Sequence, residues 1–239
     1  TGWRRFAVVP GKSLRKRDMF DPPTALLSVL GITGKTAWFG MAEIGRPRAG
    51  EVVLVSAAAG AVGSIAGQIA KNMGAKVIGI AGGEAKCRHV VQDLGFDAAI
   101  DYKAERVPDG LKRLGIKAVD VYFDNVGGEM LEGVLFRMAN FGRIVCCGNV
   151  SQYDTATPAA GPRGVPGLLV VKRLRMEGFI VLDYESRYEE AETDLARMVA
   201  DGQLKYREDI SEGLASAPAM LVRVLAGGNV GKALVRVED

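Results

Sequence analysis

Histidine is almost absent from this sequence. His89 is the single one in 239 residues, and it stands beside Arg88 on a helical stretch, where a surface position is expected. That argues against triads built on histidine and nearly excludes His-rich metal sites. The three cysteines, Cys87, Cys146 and Cys147, have no metal-ligand spacing. Adjacent cysteines rarely pair with each other, so a reduced, cytoplasmic chain is expected. Long apolar runs are missing too. No stretch reaches the roughly 20 residues of a membrane-spanning helix, and no signal-peptide pattern opens the chain. Charge of one sign is scarce, with 31 basic residues against 28 acidic and a net +3, which is too mild a balance to point to nucleic acid.

What is present is ordinary for a globular protein: 48% hydrophobic and 25% charged residues, enough to bury a sizeable core. The length allows one large domain or two small ones. The chain opens directly into TGWRRFAVV, which reads as the middle of a strand-rich region, so an upstream segment is expected. Residues 1–25 are irregular and basic (Arg4, Arg5, Lys12, Arg15, Lys16, Arg17). A solvated loop at the edge of another domain fits them better than a polyanion or cofactor-phosphate patch.

From residue 24 the pattern becomes regular. Residues 24–45 carry helical spacing that Gly31 and Gly34 are expected to break. Strands and helices then alternate. Strands are expected at 52–56, 76–81, 98–102, 119–124, 143–147 and 176–181. Helices are expected at 64–73, 84–94, 111–114, 129–138, 168–174 and 187–200. A long loop is expected over 148–167. The tail reads as a helix near 215–226, the turn Gly227-Gly228-Asn229 and a last strand over 232–237. Each strand is a short, almost wholly apolar run, as in parallel sheets buried on both faces. Repeated strand–helix units with right-handed crossovers imply an α/β, doubly wound parallel sheet whose ligands sit beyond the carboxyl ends of its strands.

Residues 51–63, EVVLVSAAAGAVG, hold the chemistry-bearing turn. Ala58-x-Gly60-x-x-Gly63 is a G-x-G-x-x-G phosphate-binding turn whose first glycine has become alanine. Small residues there let the backbone approach a pyrophosphate, and N–H groups at the helix start hold its charge. At the end of the second strand an NAD site usually places an acidic residue for the ribose hydroxyls. This sequence has Ala81-Gly82-Gly83 followed by Lys86 and Arg88, an arrangement suited to a 2′-phosphate and hence to NADP. Glu84 is the opposing residue, and it fits the first turn of a helix. Asp124-Asn125-Val126-Gly127-Gly128 and Cys147-Gly148-Asn149 end later strands on the same edge. There Asn125 can bond ribose or nicotinamide groups, or the stretch can serve simply as helix cap and turn. Cys87 reads as inert packing.

These stretches carry a resemblance. VSAAAGAVGSIAGQIAK, GEAKCRHVVQDLGFDAAIDYK, VYFDNVGGEMLEGVLFRMANFGRIVCCGNVSQY, LRMEGFIV and GNVGKALV resemble the zinc-free branch of the medium-chain dehydrogenase/reductase superfamily. Within it they are most similar to the prostaglandin reductase, alkenal double-bond reductase and curcumin reductase group. The resemblance implies a Rossmann domain over residues 30–206. Residues 1–29 would be a remnant of a GroES-like β-rich catalytic domain, and 207–239 a segment packing back on that domain. It implies zinc-independent, NADPH-dependent reduction of the carbon–carbon double bond of enones and enals, and a homodimer. A quinone reductase of the same superfamily or a non-catalytic NADPH-binding module is the alternative. A nucleotide-dependent methyltransferase fits less well, since that fold usually wants an acidic residue where the basic ones stand. The resemblance places Gly60, Ala61, Val62 and Gly63 at the pyrophosphate, and Lys86 and Tyr102 at the adenosine phosphate. Asn125, Cys147, Gly148, Ser151, Tyr153, Phe179, Ile180, Val181 and Asn229 would line the nicotinamide half. One position departs from the family. Where many members have a tyrosine before LRMEGF, this chain has Val171, which cannot donate a hydrogen bond to a substrate oxygen. Either the donor is Tyr153 or the cofactor's own 2′-hydroxyl, or the substrate preference differs.

Overall fold

The computed structural model describes residues 2–14, 16–17, 19–153, 155–157 and 161–237. Arg15, counted above among the basic residues, lies outside them. Six parallel strands form one sheet: β1 (Val52–Val55), β2 (Lys76–Ala81), β3 (Ala98–Asp101), β4 (Val119–Asp124), β5 (Met138–Cys146) and β6 (Arg175–Gly178). Their spatial order is β3-β2-β1-β4-β5-β6. The chain winds outward from β1 to β3, then returns to place β4 on the other side of β1. The crevice where the order reverses is therefore between β1 and β4.

Strand alternation explains how both faces are buried. Val53 and Val55 point into one core with Val77, Phe123 and Val145. Leu54 points into the other with Ile78, Ile100, Tyr122 and Ile144. The first core is covered by α1 (Ile32–Phe39), α2 (Gly63–Asn72) and a later helix, Tyr188–Ala200, through Phe39, Ile65, Ile69 and Leu195. The second is covered by α4 (Val107–Arg113) and α5 (Gly128–Leu135) through Leu111, Leu131 and Val134. Between these lie the short α3 (Glu84–Arg88), which runs on as a π-turn over His89–Asp93, and α6 (Val165–Lys172); Tyr188–Ala200 is α7. Each fully buried Ile, Leu or Phe removes enough apolar surface to contribute roughly 1.5–3 kcal/mol.

Several expectations are corrected. Gly34 does not break a helix but lies inside α1, where a Cβ would stand 1.7 Å from the Val29 carbonyl oxygen. The helix needs this close approach of the preceding turn. Met138 belongs to β5, not to the helix before it. The strand starts early because its register against β4 shifts by several residues between Val119 and Val121, with Phe141 at φ +63° in the extra segment. α4 starts at Val107, ahead of the expected 111, because Pro108 falls in the first helical turn, which needs no N–H from it.

The tail is a small β–α–β unit: β7 (Glu208–Glu212), α8 (Ala217–Leu225) and β8 (Lys232–Arg236), with β7 and β8 parallel. It is attached to the large sheet at the phosphate turn. Gly231 pairs with Gly60, and its N–H donates to the Ala59 carbonyl at 2.8 Å. The Ser28 hydroxyl donates to Glu208, joining the start of the chain to β7.

Candidate cofactor site

The turn after β1 reverses direction at Ala57, whose φ is +49°. Ala58, at the first-glycine place, keeps ordinary backbone and is fully buried, and its N–H donates to the Ile80 carbonyl on β2. Room for its methyl comes from Gly79 on β2, since a Cβ there would lie 2.8 Å from Ala58 Cβ. Gly63 opens α2, and a Cβ on it would sit 2.4 Å from the Ala57 oxygen and 3.0 Å from that of Ser56. Only glycine lets the helix start this close to the strand end. Ala61 and Val62 form the partly exposed last step before α2. With them, the helix start presents its backbone at the carboxyl edge of β1, the position suited to an anion.

At the end of β2 the Tyr102 ring lies against Gly82, 2.9 Å from where a Cβ would stand. Gly83 adopts φ +93°, and its N–H donates to Asp101 Oδ1 at 2.8 Å. The same oxygen accepts the Lys103 N–H at 2.9 Å. These two bonds hold the Asp101 carboxyl below its usual range and tie the ends of β2 and β3 together. Lys86 Nζ is within 2.6 Å of the carbonyl oxygens of both Gly227 and Asn229. Burial lowers its pKa, as do the charges of Lys103 and Arg223. This edge gathers cations around a glycine pair, the donor set a phosphate monoester fits. Arg88, expected to add charge there, instead pairs with Glu84 at 2.6 Å on the exposed side of α3. That removes the opposing acidic residue from the site along with the arginine. Lys103 was not foreseen; its signal was its place directly after Tyr102.

The nicotinamide set divides. The Asn125 backbone N–H donates to Ser56 Oγ and its side-chain amide to the Ser56 carbonyl, both at 2.8 Å. The loop from Cys147 to Tyr153 is laced to the end of β4. Cys147 and Gly148 N–H donate to the Asp124 oxygen at 2.9 and 3.1 Å, Val150 N–H to that of Asn125, and the Ser151 hydroxyl to that of Val126 at 2.6 Å. Gly127 has φ +71°, and a Cβ on it would collide with Asn149 Oδ1 at 2.1 Å. Asn149 N–H donates to the exposed Tyr153 hydroxyl at 3.4 Å. Phe179 stands just past β6 against Gly40 and Tyr184. Ile180 is exposed, and the Val181 oxygen accepts the Tyr188 hydroxyl. Asn229, by contrast, is tied to Lys86 and so lies at the end of β2. Val171 is exposed on α6. A groove of about 1200 Å³ opens over α4 and α5, lined there by Pro108, Met130 and Phe136, and reaches this edge at Tyr102, Val126, Gly128 and Ser151.

The thiols beside this edge are poor nucleophiles. Burial, then the Asp124 charge, pushes Cys146 up to about 11. Burial and the same charge push Cys147 up to about 12. His89 is not at the surface as expected but half-buried, with Nδ1 2.6 Å from Asp93.

The family described as zinc-binding dehydrogenase matches residues 61–198. Zinc does not fit the donors present: among the described residues no three His, Cys, Asp or Glu side chains come together. The chain is 42% identical over 241 residues to prostaglandin reductase 1 of Rattus norvegicus, covering 98% of this chain and 73% of that protein. It is 41% identical over 242 residues to a 2-alkenal reductase (NADP(+)-dependent) of Nicotiana tabacum, covering 99% and 69%. In structure it is similar to CurA from Vibrio vulnificus in complex with NADPH, with TM-score 0.87 and 40% identity over 91% of this chain and 66% of that one. With its sheet order, its glycine turn and these relatives, the chain belongs to the medium-chain dehydrogenase/reductase family, in the branch of the prostaglandin and alkenal reductases.

Proposed function

We propose that this chain forms the cofactor part of a zinc-independent, NADPH-dependent reductase of the carbon–carbon double bond in α,β-unsaturated ketones and aldehydes. The carrying observation is the cradle at the ends of β2 and β3. Gly82, Tyr102, Lys86 and Lys103 converge there in a chain about 40% identical to reductases named for such substrates. NADPH, when bound, would supply the hydride for the β-carbon, and a proton would complete the α-carbon. The chain's own part is to hold and orient. Gly60 to Gly63 take the pyrophosphate, Lys86 and Tyr102 the adenosine phosphate, and Asn125 with the 147–153 loop the ribose and nicotinamide. Tyr153, exposed and hydroxyl-bearing, is the donor toward the carbonyl oxygen where Val171 offers none.

The edge position of β6 supports a homodimer built through it, and three unpaired cysteines support a cytoplasmic location. Residues 30–206 would be the cofactor domain, flanked by 1–29 and 207–239, which face the substrate domain. In the full protein, an α,β-unsaturated ketone should drive NADPH oxidation and yield the saturated ketone. Turnover confined to a quinone would overturn the substrate class, and tight NADPH binding without turnover would leave a binding module.

A further inference from the structure

At the point where the strand order reverses, a set of buried polar groups lies beneath the cofactor edge. Ser56 follows β1 and Asp124 ends β4, and both are shut off from solvent. Asp124 Oδ1 accepts four hydrogen bonds: from the Tyr122 hydroxyl at 2.9 Å, the Ser56 hydroxyl at 3.2 Å, and the N–H groups of Val126 and Gly127 at 3.0 Å each. Ser56 Oγ in turn accepts the Asn125 N–H, and the Ser56 carbonyl accepts the Asn125 side-chain amide. The Tyr122 phenol is raised well above its ordinary pKa, chiefly by burial and then by the Asp124 charge, so it remains a donor.

Burying a carboxylate is costly, and a packed apolar pair often serves a core as well as a buried ionic group does. An apolar pair could not, however, aim Asn125 or hold the N–H groups of Val126 and Gly127 in one direction. The two strands involved, β1 and β4, are the pair that flank the crevice.

We propose that Ser56 and Asp124 are positioning residues of the cofactor site: they fix the Asn125 amide and the turn at 125–127 against the ribose and nicotinamide half of NADPH. This rests on the NADPH reading above.

The test uses the full protein and NADPH itself. Ser56→Ala removes the acceptor for Asn125 N–H and one donor to Asp124, while Ser56→Thr keeps both. For Ser56→Ala, the KM for NADPH is expected to rise about tenfold, with kcat at saturating NADPH changed less than about twofold. Ser56→Thr is expected to return KM to within about threefold of the wild type. Asp124→Asn keeps the shape and removes the charge, and KM is expected to rise with it too. It serves as the readout if Ser56→Ala melts far below the wild type. Wild-type KM in both Ser56→Ala and Asp124→Asn would overturn the proposal. So would a fall in kcat and melting temperature with no change in KM, which assigns the pair to the fold alone. Failure of the wild type to bind NADPH defeats the underlying reading instead, and titration of the wild type shows this before any variant is compared.

Discussion

Lys86 Nζ donates to the carbonyl oxygen of Asn229 at 2.6 Å, which bonds the cation at the end of β2 to the turn between α8 and β8. A second bond runs to the Gly227 oxygen, also at 2.6 Å. Both partners are neutral, so the ammonium is fixed in place without losing its charge to a carboxylate. Replacing it with alanine is expected to raise the KM for NADPH between about 10- and 100-fold, the size of a lost charge-assisted contact, while KM for NADH moves little. Steady-state kinetics with the two cofactors separates these outcomes. Because burial and neighbouring cations lower the Lys86 pKa, NADPH affinity should weaken on the alkaline side earlier than for an exposed lysine. Lys86→Arg should move that loss to higher pH.

Asp101 gives a pH-dependent contribution of the opposite kind. Its carboxyl accepts the N–H groups of Gly83 and Lys103, and its pKa in the folded protein lies below that in the unfolded chain. The stabilisation is therefore present above the unfolded value near 4 and is lost as pH falls through the lowered folded value. Asp101→Asn should lower the urea midpoint at pH 7, and the gap from the wild type should close in strong acid. A gap that stays constant with pH would refute this account.

Gly63→Ala drives a methyl onto the Ala57 carbonyl, 2.4 Å away. The helix start must move, at a cost of about 3 kcal/mol. Chemical denaturation should show that loss, and calorimetry should show NADPH binding lost with it.

Tyr153→Phe tests the donor. Its hydroxyl is exposed and meets the chain at the Asn149 N–H, so folding and NADPH KM should hold while kcat for an enone falls about tenfold or more. An unchanged kcat would shift the role to the cofactor's own hydroxyl.

Thiol reagents should act slowly. With Cys146 near 11 and Cys147 near 12, almost no thiolate exists at neutral pH. Labelling with N-ethylmaleimide at pH 7 should leave NADPH binding intact, and mass spectrometry should find these two positions largely unmodified.

The sheet was legible wherever burial on both faces forced continuous apolar runs. β2 and β4 fall where the sequence places them, because a lysine and two glycines bound one and Asp124 closes the other. β7 was not legible. Its sequence, EDISE, is polar and gains strand form only by pairing with β8, a partner more than 20 positions later. α4 was legible only over 111–114, because Pro108 and Gly110 dilute the helical pattern; they stand at the helix start and beneath Ile100, where a side chain would collide. In the site, charge and spacing pointed to Lys86, and the family resemblance to Tyr102. They missed Asp101 and Ser56, whose roles arise from bonds between different strands. Arg88 misled for a local reason, since an acidic residue one helical turn earlier takes it.

The contact between Ala58 and Gly79 bears on how such turns should be searched for. The vacancy that a first glycine normally provides is supplied here by the adjacent strand, so the constraint acts on the combined volume of two positions distant in sequence. Pairwise covariation should then show size at one position rising only as it falls at the other. A fingerprint written along one strand will score this turn as defective, whereas one written across two will not.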